Sequence, residues 1–413
     1  MTNPGGCAYL VARYPGVTHT FIVGEVRGLR SIGVRVKTAS IRRVTDEEIL
    51  SEVDREEQLR TRALLPSSIA ELIGCHARAL TRSPRAYLRT LVHALRAAHA
   101  GGRPRLWQLF YFGEAVLLWS WLETQGLHHI HVHHANVSAD VAMLACSLAN
   151  AAGAERAWTW SLTIHGPTEL LDVTTHKLAS KVADAAAVVC TSDFARSQVA
   201  ALTAPTDLAK VHTVRQGVDL VAFRRSRSDR EREGPTEILC VAALSRRKGH
   251  AVLLEALAQL IDRGSSVRLT LVGGGSERLA LESDAAALGI ASAVCFAGPT
   301  GQDRIVALYE RADVFCLPSF AEGIPTVLME AMAMELPVVS TTAMGIGELV
   351  EHERSGILVS PARPDLIAAA LSRLLDDPDL RRRMGREGRR RVERDYNRAS
   401  AVHALHDVLA PLL

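Results

Sequence analysis

The chain has 413 residues, enough for two or three domains with cores of their own, and we expect two. Charged residues make up 23% of the sequence and the net charge is only +3, which argues against a nucleic-acid-binding protein. Seven cysteines stand singly, without the paired spacing of a zinc site or a redox couple, and are expected to be buried reduced thiols.

Short β-rich runs alternate with helical periodicity along the whole sequence, which is typical of parallel sheets with crossover helices. The predicted fold class is therefore α/β. Strands in the first half are expected at 7–12, 34–41, 129–133, 158–164, 187–191 and 211–214. Strands in the second half are expected at 238–243, 267–272, 293–296, 314–317, 337–340 and 357–359. The polar stretch 224–237 is interpreted as a linker between two α/β domains that present one cleft to substrates.

Residues 78–96 alternate arginine with apolar side chains in a basic amphipathic pattern. Such a helix either lies on an anionic lipid surface or covers the core with one face in solvent, and the second interpretation is favoured here. Residues 1–6 lack the basic and apolar regions of a signal peptide, so the chain is expected in the cytoplasm. Peripheral contact with the inner face of the membrane is the remaining option.

Histidines gather at the ends of two predicted strands in the first half. Alternation sends His129, His131 and His133 to one face of their strand, and His165 ends the next strand. We find no cysteine or acid near them in the sequence that completes a metal shell, so no metal is predicted. His133 and His165 are instead expected at the substrate cleft, where an imidazole can bond a substrate hydroxyl. A structural role is the alternative for His165.

A cationic turn, Arg246-Arg247-Lys248, follows the first strand of the second half and precedes a helix. Charge-assisted hydrogen bonds from arginine and lysine to phosphate, each worth about 1.5–3 kcal/mol, would stabilise a departing diphosphate at such a turn. Because these cations can supply the stabilisation, a divalent metal becomes optional. A basic surface turn without function is the alternative.

The loop that contains Gly274 also follows a strand. Glycines there let the backbone approach a base or phosphate, but the loop lacks the spacing of a dinucleotide fingerprint. A tight turn explains the same residues.

Glu322 and Glu330 frame a loop that turns into a helix. Pro325 suits the first helical position, and the helix start would favour a phosphate, with Thr326 and Glu330 on one face. One carboxylate would hold ribose hydroxyls and the other a hexose. An amphipathic helix with a capping acid is the alternative.

Taken together, several segments resemble the retaining glycosyltransferases of family four over nearly the whole chain. The segments that carry the resemblance are 14–15, 20–25, 131–133, 165–169, 217–223, 248–249, 318–333, 337–339 and 347–350. The pieces of the first half look most like exopolysaccharide enzymes of the colanic-acid type.

The resemblance implies a GT-B fold of two Rossmann-like domains. They would be an acceptor domain at 1–223 and a nucleotide-sugar domain at 238–391, followed by a helix at 392–413 that crosses back to the first. It implies that Glu330 binds ribose, that Glu322 and the backbone of 323–325 contact the hexose, and that Lys248 contacts the diphosphate. His165 would lie near the reacting carbon. Further donor-side candidates are Gly323, Ile324, Pro325, Thr326, Arg246 and Gly274, and the acceptor-side candidates are Gly16, Thr20, His133 and Glu169.

One position departs from the family pattern. Ala243 stands where the family has an arginine that contacts the diphosphate, and we expect Arg247, or else Arg246, to supply the missing guanidinium.

The expected activity is transfer of a hexosyl group from a UDP- or GDP-sugar to a glycan or lipid-linked glycan, with retention and without a metal or other cofactor. A sugar-nucleotide epimerase of the same fold and a non-catalytic partner subunit are the alternatives.

Overall fold

The chain forms two compact units in a computed structural model that describes residues 5–16, 19–96, 102–226 and 234–413. The first unit comprises Met1–Thr191, Ala195–Val214 and Val402–Leu413. The second comprises Ser192–Phe194 and Arg215–Ala401.

The first unit is built on a seven-stranded parallel sheet with the order β3-β2-β1-β4-β5-β6-β7. Its strands are β1 (Gly6–Arg13), β2 (Arg35–Arg42), β3 (Thr61–Leu65), β4 (His129–His133), β5 (Thr159–Ile164), β6 (Ala187–Cys190) and β7 (Val211–Thr213). Its helices are α1 (Thr20–Ser31), α2 (Glu52–Arg60), α3 (Ile69–Arg82), α4 (Pro84–Arg96), α5 (Gly102–Gln125), α6 (Val137–Ala151), α7 (Pro167–Leu171), α8 (Leu178–Asp184) and α9 (Asp193–Ala201), the last of which begins with residues grouped with the second unit.

Both faces of this sheet are covered, because alternate residues of the same strand enter different clusters of buried side chains. Leu10 of β1 and Val132 of β4 pack on one face, while Tyr9 packs on the other with Ile22 and Val26 of α1. Helix α1 therefore lies over the face to which Tyr9, His131 and His133 belong, as the register of β1 and β4 also requires.

The second unit contains a six-stranded parallel sheet with the order β10-β9-β8-β11-β12-β13. Its strands are β8 (Thr236–Val241), β9 (Val267–Val272), β10 (Val294–Gly298), β11 (Val314–Leu317), β12 (Val338–Thr341) and β13 (Gly356–Val359). Its helices are α10 (His250–Asp262), α11 (Arg278–Ala287), α12 (Gln302–Arg311), α13 (Thr326–Ala333), α14 (Ile346–Leu349), α15 (Pro364–Asp376) and α16 (Pro378–Asp395), and α17 (Arg398–Leu409) follows.

The sequence predicted the α/β class and every strand except β3, with boundaries that differ by two residues at most. Strand β3 was missed because it is a short edge strand whose single fully buried side chain is Leu64. The predicted linker overlaps β8 at residues 236 and 237, and its residues 227–233 lie outside the described part of the chain. The expectation that all cysteines are buried was wrong for Cys295, which is exposed, and for Cys75, which is half-buried.

Strand order reverses once in each sheet, between β1 and β4 in the first unit and between β8 and β11 in the second. Loops that leave the carboxyl ends of neighbouring strands at such a point diverge to opposite faces and leave a crevice where ligands bind. The loops in question carry the predicted site residues. In the second unit they are the cationic turn after β8 and the 318–325 segment after β11.

Helix α13 is held in place by α16, the arginine-rich helix. The Arg389 guanidinium donates to the carbonyl of Ala333 at 2.8 Å and to that of Phe223 at 2.7 Å, which satisfies the end of α13. Gly385 lies directly against Glu335, since a Cβ built at 385 would stand 2.0 Å from the Glu335 carbonyl oxygen. Arg389 of this helix therefore has structural partners.

The C-terminal stretch Val402–Leu413 belongs to the first unit. Val402, Leu405 and Leu409 enter the same buried cluster as Ile22 and Val26. The helix that we expected to begin at 392 begins at Arg398, because α16 continues to Asp395. Among the described residues, no helix combines the length and apolar character needed to cross a membrane.

We predict that Gly385→Ala destabilises the second unit. The added methyl group would overlap a backbone carbonyl that cannot rotate away, and overpacking of this kind costs about 1–3 kcal/mol. Thermal unfolding should show a lower Tm. Gly74→Ala is the control, because a Cβ at Gly74 on α3 meets nothing within 4 Å and alanine favours the helix. Equal effects of both substitutions would contradict the close approach of α16.

Candidate functional site

The reversal of strand order in the second sheet brings Lys248 and Glu322 together. Lys248 Nζ forms a close ion pair with Glu322 Oε1, which also accepts a hydrogen bond of 2.7 Å from Ser319 Oγ. Gly249 ends the cationic turn with φ of +70°, and a Cβ there would stand 2.2 Å from the Pro318 carbonyl oxygen. A glycine is therefore required for the two loops to approach this closely.

The two arginines of the turn differ in their surroundings. Both are exposed, but the Arg246 guanidinium lies 3.5 Å from Glu277, whereas the backbone carbonyl of Arg247 accepts from the Phe320 N–H at 2.8 Å. Arg247 is thus tied by its backbone to the loop that carries Glu322. The Gly274 carbonyl accepts from the Leu244 N–H at 2.8 Å, so this glycine loop packs against the segment that precedes the turn.

The helix start after Glu322 differs by one residue from the prediction. Pro325 is the N-cap, with an extended ψ of 121°, and Thr326 is the first helical residue. The expectation that Pro325 occupies the first helical position was therefore wrong, because its ψ is not helical. Ile324 is buried in the apolar core of this unit, and Gly323 lies against Gly345, where a Cβ would come within 2.5 Å of the Gly323 carbonyl oxygen.

Glu330 is a buried carboxyl group on α13, where the three residues before it and the three after it are apolar. Tyr309 Oη donates to its Oε2 at 2.8 Å, and Gln302 Nε2 lies 3.4 Å from its Oε1. Burial raises the pKa of Glu330 to about 7, and these two hydrogen bonds and the charge of Arg398 offset the rise only in part. An acid kept in so unfavourable a position is typical of a functional site.

In the first unit, His133 lies between Glu25 and His165. His133 Nε2 is 3.1 Å from Glu25 Oε1, and His133 Nδ1 is 2.8 Å from His165 Nε2. Tyr9 Oη donates to the same Glu25 oxygen at 2.7 Å. Burial and neighbouring imidazoles, first that of His134, hold the pKa of His165 well below its usual value.

Glu25, His131 and His133 are also a group that could hold a metal ion. One potential ligand atom from each lies within 4.8 Å of the others. The expectation that no acid accompanies these histidines was therefore wrong, because α1 folds Glu25 over the strand. The ring nitrogens of His131 nevertheless have protein partners, since Nδ1 is 2.7 Å from Ser161 Oγ and Nε2 is 3.0 Å from Thr163 Oγ1.

The other predicted residues of the first unit lie around this network. His134 Nδ1 bonds Glu169 Oε1 at 2.7 Å, and although burial opposes ionisation of Glu169, the bond and charge of His134 lower its pKa. Thr20 begins α1, and the Gly16 carbonyl accepts from the His19 N–H at 2.8 Å. The loop between them includes residues 17 and 18, which are not described.

Sequence reasoning assigned no role to Tyr9, Glu25, Tyr309 or Ser319. A signal for Glu25 existed, because positions 22, 25, 26 and 29 form one helical face and Glu25 is its polar member among Ile22, Val26 and Leu29. Tyr309 and Ser319 gave no comparable signal. Tyr309 contacts Glu330, which is distant in the sequence, and Ser319 contacts Glu322 across a loop.

Helices α3–α5 expose large apolar side chains beside arginines. Helix α4 packs inward through Ala86, Thr90 and Ala94, and it leaves Leu88 55% and Val92 43% exposed. Comparable exposure is found at Ile69, Ile73 and Leu80 of α3 and at Leu106, Trp107, Leu109 and Phe110 of α5. The face of α4 that covers the core consists of these three small residues together with the half-buried Tyr87 and Leu91. Leu88 and Val92 lie outside that face, so covering the core does not explain their exposure.

We predict that the contribution of Glu330 to the free energy of unfolding falls between pH 4.5 and 7. Its folded-state pKa is raised from 4.5 to about 7, so the carboxyl stabilises the fold fully below pH 4.5 and this contribution is lost as pH rises. Above pH 7, ionisation of Glu330 lowers the free energy of unfolding by about 3 kcal/mol. Glu330→Gln should abolish it, which denaturant titrations of both proteins at pH 5 and pH 8 would measure. Parallel pH profiles would contradict the burial of an ionisable Glu330.

Residues 223–391 match the family model described as Glycosyl transferases group 1. The amylovoran biosynthesis glycosyltransferase AmsK of Erwinia amylovora is 34% identical over 209 residues, which are 49% of this chain and 51% of that protein. The putative colanic acid biosynthesis glycosyltransferase WcaL of Escherichia coli K12 is 35% identical over 212 residues, 49% of this chain and 52% of its own. The match thus spans about half the length of these curated relatives.

Among solved structures, the Anabaena protein Alr3699/HepE in complex with UDP-glucose superposes with a TM-score of 0.74 at 15% identity, covering 98% of this chain and 99% of that one. This likeness establishes the GT-B fold, with two Rossmann-like domains. The family match, by contrast, includes the residues of the second unit that form the site, Lys248, Glu322 and Glu330. Residues 223–391, which contain these three side chains, are thus similar to the group 1 glycosyl transferases.

Proposed function

We propose that this protein is a retaining, metal-independent glycosyltransferase. It transfers a hexosyl group from a UDP- or GDP-sugar to a glycan or lipid-linked glycan, in exopolysaccharide or glycolipid biosynthesis. The observation that carries the proposal is the Lys248–Glu322 ion pair, which lies at a reversal of strand order beside the start of the helix that bears the buried Glu330.

The second unit has the groups that a nucleotide sugar needs. A diphosphate requires cations and N–H donors, which Arg247, Lys248 and the start of α13 can offer. A carboxylate accepts hydrogen bonds from paired ribose hydroxyls, and Glu330 is such a carboxylate when ionised. Glu322, neutralised by Lys248, would accept from hydroxyls of the hexose.

The same cations support the reaction. As the bond between the anomeric carbon and the diphosphate oxygen breaks, negative charge grows on the leaving group, and Lys248 and Arg247 would stabilise it. The acceptor oxygen bonds to the anomeric carbon on the face that the diphosphate leaves, and its proton passes to a leaving phosphate oxygen. Retention follows from attack on that face, and no metal is needed because the cations carry the charge.

The relatives support a role in surface polysaccharides. AmsK is named for amylovoran biosynthesis and WcaL for colanic acid biosynthesis, and the HepE structure contains UDP-glucose. In the first unit, Gly16, Thr20, His165 and Glu169 are the residues proposed to meet the acceptor and the reacting sugar. His133, which was expected at the cleft, has a fully buried side chain whose ring nitrogens contact Glu25 and His165 instead.

We predict that Arg247→Ala lowers kcat/KM about 100-fold or more, because one lost donor to a leaving group costs about 3–4 kcal/mol. Arg246→Ala is the matched control and should have a small effect, since its guanidinium lies toward Glu277.

A panel of UDP- and GDP-sugars in thermal-shift assays identifies the donor, and release of nucleoside diphosphate then measures turnover.

Three outcomes would contradict parts of this proposal. Steep loss for Lys248→Ala with none for Arg247→Ala would remove Arg247 from its role. An inverted anomeric configuration in the product, seen by NMR, would exclude retention. Loss of activity in EDTA that Mg²⁺ restores would exclude metal independence.

We also propose that the first unit works at the inner face of the cytoplasmic membrane. The exposed side of α4 carries Arg85, Arg89 and Arg96 together with Leu88 and Val92, and the surface formed by α3–α5 adds an exposed indole at Trp107. Apolar side chains that insert between headgroups, with arginines that attract anionic lipid, are the features of an interfacial helix.

We predict that charge reversal of Arg85, Arg89 and Arg96 to glutamate releases the protein from anionic vesicles. Each basic residue contributes about 1 kcal/mol near such a surface, so the partition coefficient should fall on the order of 100-fold. The control reverses Arg43, Arg60 and Arg156, which are exposed on the same unit outside these helices. Equal losses for both variants in co-sedimentation, or no binding of the native protein at low salt, would contradict the docking surface.

A further inference from the structure

The carboxylate of Glu322 is held by two donors that reach the same oxygen. Lys248 Nζ and Ser319 Oγ both donate to Glu322 Oε1, the serine at 2.7 Å. These two bonds use both lone pairs of Oε1. Glu322 Oε2 meets no donor in the described part of the chain, and it does not belong to the polar atoms that are sealed from solvent without a partner. One oxygen of the carboxylate is thus committed, and the other is open.

The ion pair reaches the surface of the second unit, although most of it is covered. The Lys248 side chain is 16% exposed and the Glu322 side chain is 9% exposed, whereas Ser319 is fully buried. Lys248 Nζ carries three N–H groups, and within the described ranges its side chain pairs with Glu322 alone. A solute at this surface can therefore meet both charged groups, but it cannot reach the serine hydroxyl.

Ser319 is anchored on two sides. Its carbonyl accepts from Thr341 Oγ1 at 2.6 Å, and Thr341 is the fully buried last residue of β12. The next residue in the chain, Phe320, donates its N–H to the carbonyl of Arg247 at 2.8 Å. The strand on one side and the cationic turn on the other therefore hold the backbone from which the Ser319 hydroxyl extends.

The lysine by itself does not select one oxygen of the carboxylate. An ammonium group is a compact charge with rotating donors, and a carboxylate offers it two equivalent oxygens. The Ser319 hydroxyl removes this equivalence, because it adds a second hydrogen bond to Oε1 only. The serine therefore favours a single orientation of the Glu322 carboxylate.

We propose that Ser319 is a positioning residue that fixes the Glu322 carboxylate with Oε1 turned to Lys248, so that Oε2 accepts a hydrogen bond from a hydroxyl of the donor hexose. The sugar in this statement rests on the proposed function, whereas the orientation of the carboxylate does not. Ser319 acts only through Glu322, since its buried hydroxyl is out of reach of a substrate.

A purely structural serine is the rival interpretation. The hydroxyl would then only compensate Glu322 for water lost on burial, and its removal would change stability alone. Lys248 already gives Oε1 a charge-assisted bond, so the carboxylate does not depend on the serine for a partner. What the second donor adds is orientation, which favours the positioning role.

Ser319→Ala removes the hydroxyl and leaves the ion pair between Lys248 and Glu322. Ser319→Cys keeps an atom at the γ position but donates only weakly, and it serves as a second variant. Ser340→Ala is the matched control, because Ser340 is a buried serine of β12 whose hydroxyl donates to the carbonyl of Leu317 at 2.7 Å and contacts no carboxylate.

The orientation is measured in full-length protein labelled with ¹³C at the glutamate carboxyl carbons. Glu322→Gln identifies the carboxyl signal of Glu322. We expect this signal to shift in Ser319→Ala and in Ser319→Cys, because the hydrogen bond to Oε1 is lost or weakened. It should stay in place in Ser340→Ala.

The contact with the sugar is measured by calorimetric titration of UDP against UDP-glucose and UDP-galactose, and of GDP against GDP-mannose. We expect Ser319→Ala to weaken binding of the nucleotide sugar about tenfold, the scale of one hydrogen bond, and binding of the nucleoside diphosphate less than about twofold. In a Glu322→Ala background, Ser319→Ala should change either affinity less than about twofold. Ser340→Ala should leave the ratio of the two affinities unchanged.

The inference fails on any of three results. An unchanged Glu322 signal in Ser319→Ala means that the serine does not hold the carboxylate. Equal weakening of nucleotide and nucleotide sugar means that Ser319 has only a structural role. A full loss in the Glu322→Ala background means that the serine does not act through Glu322. If the native protein binds none of these nucleotides, the hexose contact fails together with the proposed function, and the carboxyl spectra still decide whether Ser319 orients Glu322.

Discussion

The reversal of strand order in each parallel sheet is the constraint on which the candidate sites depend. In the second sheet it makes β8 and β11 neighbours, so the loops that leave them must start side by side. The ion pair between Lys248 and Glu322 joins residues 74 positions apart only because of this adjacency. Because residue 249 is a glycine, it has no Cβ to collide with the Pro318 carbonyl, and the two loops can approach each other.

Both units place a carboxylate beside buried groups, and each provides a tyrosine hydroxyl for it. Tyr9 donates to Glu25 at 2.7 Å and Tyr309 donates to Glu330 at 2.8 Å. One hydroxyl and a long contact from Gln302 do not replace the water that the Glu330 carboxylate loses, so burial raises its pKa to about 7. A glutamine would fill the same space without that cost, so the retained charge is best explained by a ligand that needs it.

Every strand except β3 could be predicted, and the segment that holds Glu322 and Glu330 could be singled out, because these signals are local. Buried parallel strands such as Val314–Leu317 are continuous apolar runs, and Glu322 and Glu330 stand within one short segment. The chain through His133 could not be predicted, since Glu25 lies 108 residues from it and spacing does not reveal which strands are neighbours. Pro325 was predicted one position too far into the helix, because the φ of proline suits both the N-cap and the first helical position. Only its ψ of 121° shows that Pro325 is the N-cap.

The two carboxylates differ in what their surroundings can do with a proton. Glu330 meets the hydroxyl of Tyr309 and the amide of Gln302, neither of which changes its charge near neutral pH, so the carboxyl itself is the group whose charge burial affects. Glu25 meets an imidazole, whose two nitrogens pass the direction of a hydrogen bond from one partner to the next. The same residue type therefore has a tyrosine hydroxyl as a partner in both units, and in the first unit it also contacts an imidazole that is linked to a second imidazole.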